Sequence, residues 1–310
     1  MNPRTAGLLF AATTGVCWAL LAIALRNAQA YAGTGTIAWF RMVVAFIVLL
    51  IWYAIRSPAR LKLLAPKRPL ILVCGLGLAI NYFAYMRGLE MTTASNAQIM
   101  IQMGPLGLLL FGIFYFKESP TMVQTAGLCM AAVGFGLFFW DQILVTFNDA
   151  GRYIYGNGWL MLGAFTWAIF AVLQKSLKGD WTPQQFNMVI YGICSLALLP
   201  LCDFSEISTW DLKGWLLMLA CGANTLIAYG CFAEALRRIP ASHVSLVLAT
   251  NPLLTIFLVT VLAELKISWV IPEPIHWRGF LGALCVVGGV VLTIKTKSAI
   301  SKIQREPNRA

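Results

Sequence analysis

Two stretches of this chain carry the same residues in the same order. Tyr82, Tyr85, Leu89, Ala94, Ser95, Pro105 and Leu106 recur as Tyr229, Phe232, Leu236, Ala241, Ser242, Pro252 and Leu253, at a constant offset of 147 residues. A register of that length marks an internal duplication. Each copy holds five apolar runs, at residues 7–25, 36–55, 69–86, 95–116 and 122–140, then 158–177, 185–201, 215–233, 244–263 and 277–294. As helices, runs of about 20 residues cross roughly 30 Å of hydrocarbon. An odd number of spans per copy makes the second copy enter the bilayer from the opposite side. The expected fold is an all-α integral membrane protein: ten transmembrane helices as two inverted five-helix repeats around a central cavity. Such repeats typify secondary transporters, whose solute site lies between the halves.

Composition points the same way. Charged residues make up 11% of the chain and apolar residues 59%, against about 25% charged in a soluble domain. Cys17, Cys74, Cys129, Cys194, Cys202, Cys221, Cys231 and Cys285 all fall in apolar stretches, with no CxxC pair and no His at metal spacing. They read as small buried hydrophobes, so neither a metal nor another cofactor is expected.

The spans divide the chain into a first repeat over 1–141, a periplasmic linker over 142–156, a second repeat over 157–296 and a basic tail over 297–310. Lys and Arg set the orientation. One side collects Arg4, Arg56, Arg60, Lys62, Lys67, Arg68, Lys117, Lys175, Lys178, Arg237, Arg238 and the basic tail. The other keeps Arg26, Arg87, Arg152, Lys213 and Lys266 and most of the acids. By the positive-inside bias both termini are expected in the cytoplasm. The net charge of +11 is then a topology signal, spread over every inner loop, and not a nucleic-acid patch. Arg4, the first apolar run and Ala28-Gln29-Ala30 imitate a secretory signal with its cleavage site. Against that, Trp18-Ala19 has a counterpart in Trp167-Ala168, deep in the chain.

Polar residues gather on the third and fourth spans of each repeat. Ser95, Gln98 and Gln102 share one face of the fourth span, and Ser242, Ser245 and Ala249 occupy the matching face of the ninth. Such a face lines a cavity or bonds a neighbouring helix, because lipid offers no hydrogen bonds. Asn81, Tyr82 and Tyr85 on the third span, with Asn224 and Tyr229 on the eighth, join the candidate solute site. So do Trp18 and Trp167, at equivalent depths in the first and sixth spans. These either form two flat walls around a solute or simply pack the core. Pro105 and Pro252 each remove a backbone donor midway along the fourth and ninth spans, and the two bends invite a pair of gates.

Arg41, inside the second span, either attracts a solute carboxylate or snorkels to the interface; its counterpart in the second repeat is Ile190. Glu90, Glu118, Glu234 and Glu264 lie near span ends, where they are solvated or cap helices. With no Asp or Glu in mid-span and His243 alone at a membrane edge, facilitated transport is the default and His243 the candidate titrating partner. Gly127 and Gly134 recur as Gly282 and Gly289, two turns apart, allowing close helix approach. The same faces are open to a dimer seam, so a monomer or weak dimer is expected.

In this order and duplication, the early Trp pair, Arg41, Tyr85 through Leu89 to Thr93-Ala94-Ser95, Pro105-Leu106, Glu118 and the fifth-span glycines resemble the EamA type of the drug/metabolite transporter superfamily. The second repeat carries them as Tyr229, Leu236, Ala241-Ser242, Pro252-Leu253, Glu264, Gly282 and Gly289. More narrowly the chain is similar to the YddG-like group of bacterial amino acid exporters. That resemblance implies a bacterial inner-membrane protein with cytoplasmic termini that exports aromatic and other neutral amino acids. Alternatives left open are another small amphipathic solute and proton-coupled antiport. No HExxH, paired membrane aspartates or Ser/His dyad supports an enzyme.

Overall fold

The computed structural model describes residues 2–61, 69–104, 106, 121–145, 150–177, 181–239, 241–267, 270, 272–273 and 275–303. Every described element is helical. In chain order these are α1 (Pro3–Ala28), α2 (Thr34–Arg56), α3 (Pro58–Leu61), α4 (Leu70–Met91), α5 (Ala94–Met100), α6 (Met122–Val145) and α7 (Ala150–Leu177). There follow α8 (Pro183–Leu198), α9 (Phe204–Ser208), α10 (Leu212–Arg238), α11 (Ala241–Leu248), α12 (Asn251–Glu264) and α13 (Trp277–Ile303). Seven helices are long and apolar enough to cross a bilayer, and Asn251–Glu264 and Trp277–Thr293 are shorter apolar ones. The short α3 and α9 lie in connections.

Packing runs across the repeats more than within them. The most extensive contacts are α6 with α13, α4 with α7, α1 with α10, α2 with α8, α4 with α8 and α2 with α10. Exchanging the two repeats turns this set into itself: α4–α7 becomes α10–α1, α4–α8 becomes α10–α2, and α6–α13 and α2–α8 are self-paired. The halves are thus interleaved, and the core lies at their junction.

The glycines have the role their spacing suggests. A Cβ on Gly127 would stand 2.7 Å from the Gly289 carbonyl oxygen, and one on Gly134 2.7 Å from that of Gly282. Backbones of α6 and α13 therefore touch, and any larger residue would part them. The faces considered for a dimer seam are used inside the chain.

The ninth span departs from expectation. Instead of a bend at Pro252 it breaks outright at Ala249–Thr250, giving α11 and α12. Pro252 then falls in the first turn of α12, where its missing N–H costs nothing. The fourth span does likewise at Ile101–Gln102, just after α5. Both breaks tighten through a three-residue hydrogen bond, from Gln102 N–H to the Ile99 carbonyl (3.1 Å) and from Thr250 N–H to Val247 (3.2 Å). Pro105, Glu118 and the Ser242 side chain lie outside the described residues.

Candidate functional site

An aromatic cluster fills the junction of the repeats at mid-depth. Trp18 on α1 and Trp167 on α7 meet edge to face, ring centroids 5.9 Å apart at 83°. Trp18 also packs on Tyr229 (5.6 Å) and Phe232 (5.6 Å) of α10, and Trp167 on Phe232 (6.0 Å). Tyr229 continues to Tyr82 on α4 (6.2 Å), Phe170 on α7 (6.0 Å) and Tyr191 on α8 (6.4 Å). The two indoles are therefore in contact, not held apart as walls with a gap for solute.

Amides stitch this cluster to neighbouring backbones. Gln98 on α5 donates to the Trp18 carbonyl (3.2 Å) and the Tyr85 hydroxyl (3.4 Å), while Asn224 on α10 donates to the Cys17 carbonyl (2.9 Å). With the Asn224 nitrogen committed in this way, its oxygen is buried without a partner. Asn81 turns instead to the Gly163 carbonyl of α7 at 2.8 Å, holding helices together. Gln102 is buried. His243 and Ser245 are half-buried on α11, whose Val244 and Leu248 share the cluster with the tryptophans.

Arg41 does not snorkel. It is 3% exposed, donates from Nε to the Thr225 hydroxyl of α10 (3.1 Å) and lies with Cζ 4.6 Å from the Tyr82 ring centroid. The reason is depth: α2 starts at Thr34, so Arg41 sits about 10 Å along the helix, covered by α4 and α10. Tyr191 and Thr225, which complete its surroundings, were not singled out from sequence. Thr225 adjoins Asn224, and Tyr191 adjoins the Arg41 counterpart Ile190, so both were one position from a residue already under scrutiny.

Farther from the amino terminus, charges close the bundle. Here Glu273, in the α12–α13 connection, reaches the start of α5: its two oxygens accept from the Ala94 N–H (2.7 Å) and the Ser95 N–H (2.9 Å). Ser95 thus belongs to this closure and not to the aromatic cluster. Burial pushes the Glu273 carboxyl above the ordinary carboxylate range, opposed only in part by the Ser95 and Ala94 bonds and by Arg26. Arg26 in turn donates to the carbonyls of Leu89 (3.0 Å) and Glu90 (3.2 Å), capping the end of α4. Glu206 of α9 grips the Gly33 N–H at 3.0 Å. Glu90 takes hydrogen bonds from Thr34 and Arg87 at 2.9 and 2.7 Å. A cavity of about 300 Å³ lies there, bordered by Gln29, Thr34, Glu90 and Glu206. A second, of about 400 Å³, is apolar and borders Met100, Met103, Leu106 and Phe135.

A duplicated helical bundle with its polar and aromatic groups at the seam is the architecture of a solute carrier, and comparison with known proteins decides which. The model of the EamA-like transporter family matches residues 5–140 and again 154–295. The chain belongs to this family. It is 30% identical to an uncharacterized transporter of Haemophilus influenzae, covering 93% of this chain and 94% of that one. It is 29% identical to the uncharacterized inner membrane transporter YhbE of Escherichia coli, over 92% and 90% of the two chains. A probable amino-acid metabolite efflux pump of Escherichia coli is 25% identical, over 76% of this chain and 81% of its own. One crystal structure, 19% identical, shares the fold with a TM-score of 0.62 over 94% of this EamA-like chain and 97% of its own. As a family member the protein is a membrane transporter and not an enzyme.

Proposed function

We propose that this EamA-like transporter exports amino acids, aromatic and other neutral ones, by alternating access and down their gradient. The observation that carries this reading is the aromatic cluster at the seam of the repeats, where Trp18 meets Trp167 beside the unpartnered Asn224 oxygen. Indole faces suit an apolar or aromatic side chain, and a free amide oxygen suits an ammonium group. The distant likeness to an amino-acid metabolite efflux pump supports the same class. In this reading the repeats span 1–141 and 157–296 and the membrane is a bacterial inner membrane. Both termini are cytoplasmic, so the end closed by Glu273 faces outward. The breaks after α5 and before α12 serve as the two hinges, with Pro105 and Pro252 preventing either helix from healing. Trp18, Tyr82, Tyr85, Gln98, Trp167, Asn224 and Tyr229 contact the solute.

The test is counterflow in proteoliposomes across the twenty amino acids, with Trp18→Ala and Trp167→Ala beside the parent. Exchange of aromatic amino acids that falls at least about tenfold in either variant is expected, as removal of a stacking wall costs about 1.4 kcal/mol or more. Exchange of a hydrophobic cation with no amino acid active would overturn the reading.

A further inference from the structure

We infer that Arg41 anchors a subsite for a single carboxylate, so that the transported solute must carry one; this deepens, and rests on, the reading of the aromatic cluster as the solute site. The guanidinium is held at 3% exposure between α2, α4 and α10. Among the described residues it makes one hydrogen bond, to Thr225, and no carboxylate comes within 4.0 Å of it. Arginine cannot shed its charge to escape burial, and it has five N–H donors to place. A buried cation left without a counter-charge is costly. Within the bilayer, such a residue is expected to meet its partner as cargo.

The neighbouring groups fit the same ligand. The Tyr82 hydroxyl is buried beside the hydroxyls of Thr225 and Tyr229, its hydrogen-bonding neighbours. The Tyr191 hydroxyl is buried without a hydrogen-bond partner, within electrostatic reach of Arg41. A carboxylate offers about four lone-pair sites, enough to accept from the guanidinium fork and the Tyr191 hydroxyl. One arginine, with no second cation beside it among the described residues, matches a single negative charge and falls short of a phosphate. Ile190, the counterpart of Arg41, is fully buried, so the seam has one anion subsite and the solute one orientation.

The first arm varies the ligand against the unaltered protein, so there folding is not at issue. Proteoliposomes exchanging radiolabelled phenylalanine are challenged with phenylalaninamide, phenethylamine and 3-phenylpropionate, and binding of each to purified protein is read from tryptophan fluorescence. Phenylalaninamide and phenethylamine are expected to compete roughly 10- to 100-fold more weakly than phenylalanine, the loss of a charged hydrogen-bonded pair. Arg41→Lys is expected to retain part of the acid preference and Arg41→Met to abolish it. Equal competition by amide and acid overturns the subsite while leaving amino acid transport standing, whereas binding of no carboxylate at all, phenylalanine included, overturns both. Binding and exchange of 3-phenylpropionate with phenylalanine inactive leaves the subsite standing and removes the amino acid reading.

Discussion

Glu273 and Arg41 are two lone charges drawn into the protein, and the chain treats them oppositely. Glu273 is answered from within: two backbone N–H groups at 2.7 and 2.9 Å, and Arg26 nearby. Arg41 is answered by a hydroxyl and an aromatic face, with no acid among the described residues. A charge whose partner belongs to the chain fastens one conformation. A charge whose partner is missing stores an unmet demand that a ligand can fill. In the reading proposed above the first arrangement is a latch and the second a receptor, and one helix runs between the latch and the aromatic cluster. That helix is α5, which offers its first N–H groups to Glu273 and, one turn later, sends Gln98 to Trp18 and Tyr85. The N–H groups that meet Glu273 and the side chain that meets Trp18 and Tyr85 thus lie on one helix of seven residues.

Removing the latch is the largest way to break this contrast short of touching Arg41. Glu273→Ala leaves the Ala94 and Ser95 N–H groups without acceptors, which costs the closed state about 2 kcal/mol or some thirtyfold in population. The readout is maleimide labelling from the outer side of a lone cysteine at Gln98→Cys in a cysteine-free background. Faster labelling is expected; an unchanged rate would mean that Glu273 fastens nothing.

Acidity acts on the same latch more gently. The Glu273 carboxyl is raised by burial in the closed state and returns toward its ordinary value of 4.5 in water. Closure therefore takes up a proton. Its proton-linked stability is fully present below the ordinary value and is lost as pH rises through the raised one. Labelling at position 98 is expected to quicken as the outer pH climbs across that window, and to lose this dependence in Glu273→Gln. A pH dependence surviving in that variant would assign it to another group.

The smallest effect belongs to the connection that carries Glu273. Lys266 adopts φ 55°, the left-handed region, at the end of α12. Its N–H bonds the Ala263 carbonyl (2.9 Å) and that of Ile267 bonds Leu262 (3.1 Å), a helix stop that favours glycine at the Lys266 position. Lys266→Gly should stabilise the purified protein by up to about 1 kcal/mol, seen as a slightly higher melting temperature. A fall would show that the lysine side chain matters there.

How much of this was legible depended on which physical rule governed each residue. Spans follow from apolar length alone, so the described helices fall where runs such as 36–55 and 215–233 place them. Symmetry likewise located Trp18 and Trp167, but their contact depends on how the halves meet, which periodicity does not report. For Arg41 the sequence leaves snorkelling and burial both open, because its distance from the end of the apolar run is shorter than its depth in α2, which begins at Thr34. Glu273 carried a weak signal, a loop between Glu264 and Trp277 much longer than that between Glu118 and Met122. The path of a loop is set by its ends and its few bonds, so no pattern in the residues aimed that carboxylate at α5.

The contrast between latch and receptor is tested most directly by melting purified parent and Arg41→Met protein, each with and without phenylalanine. Replacing an unmatched buried charge by an apolar side chain of similar length is neutral or stabilising. The variant should therefore melt at or above the parent temperature, and phenylalanine should raise the melting temperature of the parent alone. A variant that melts well below the parent, yet is still stabilised by phenylalanine, would show that Arg41 is held for the fold and not for a solute.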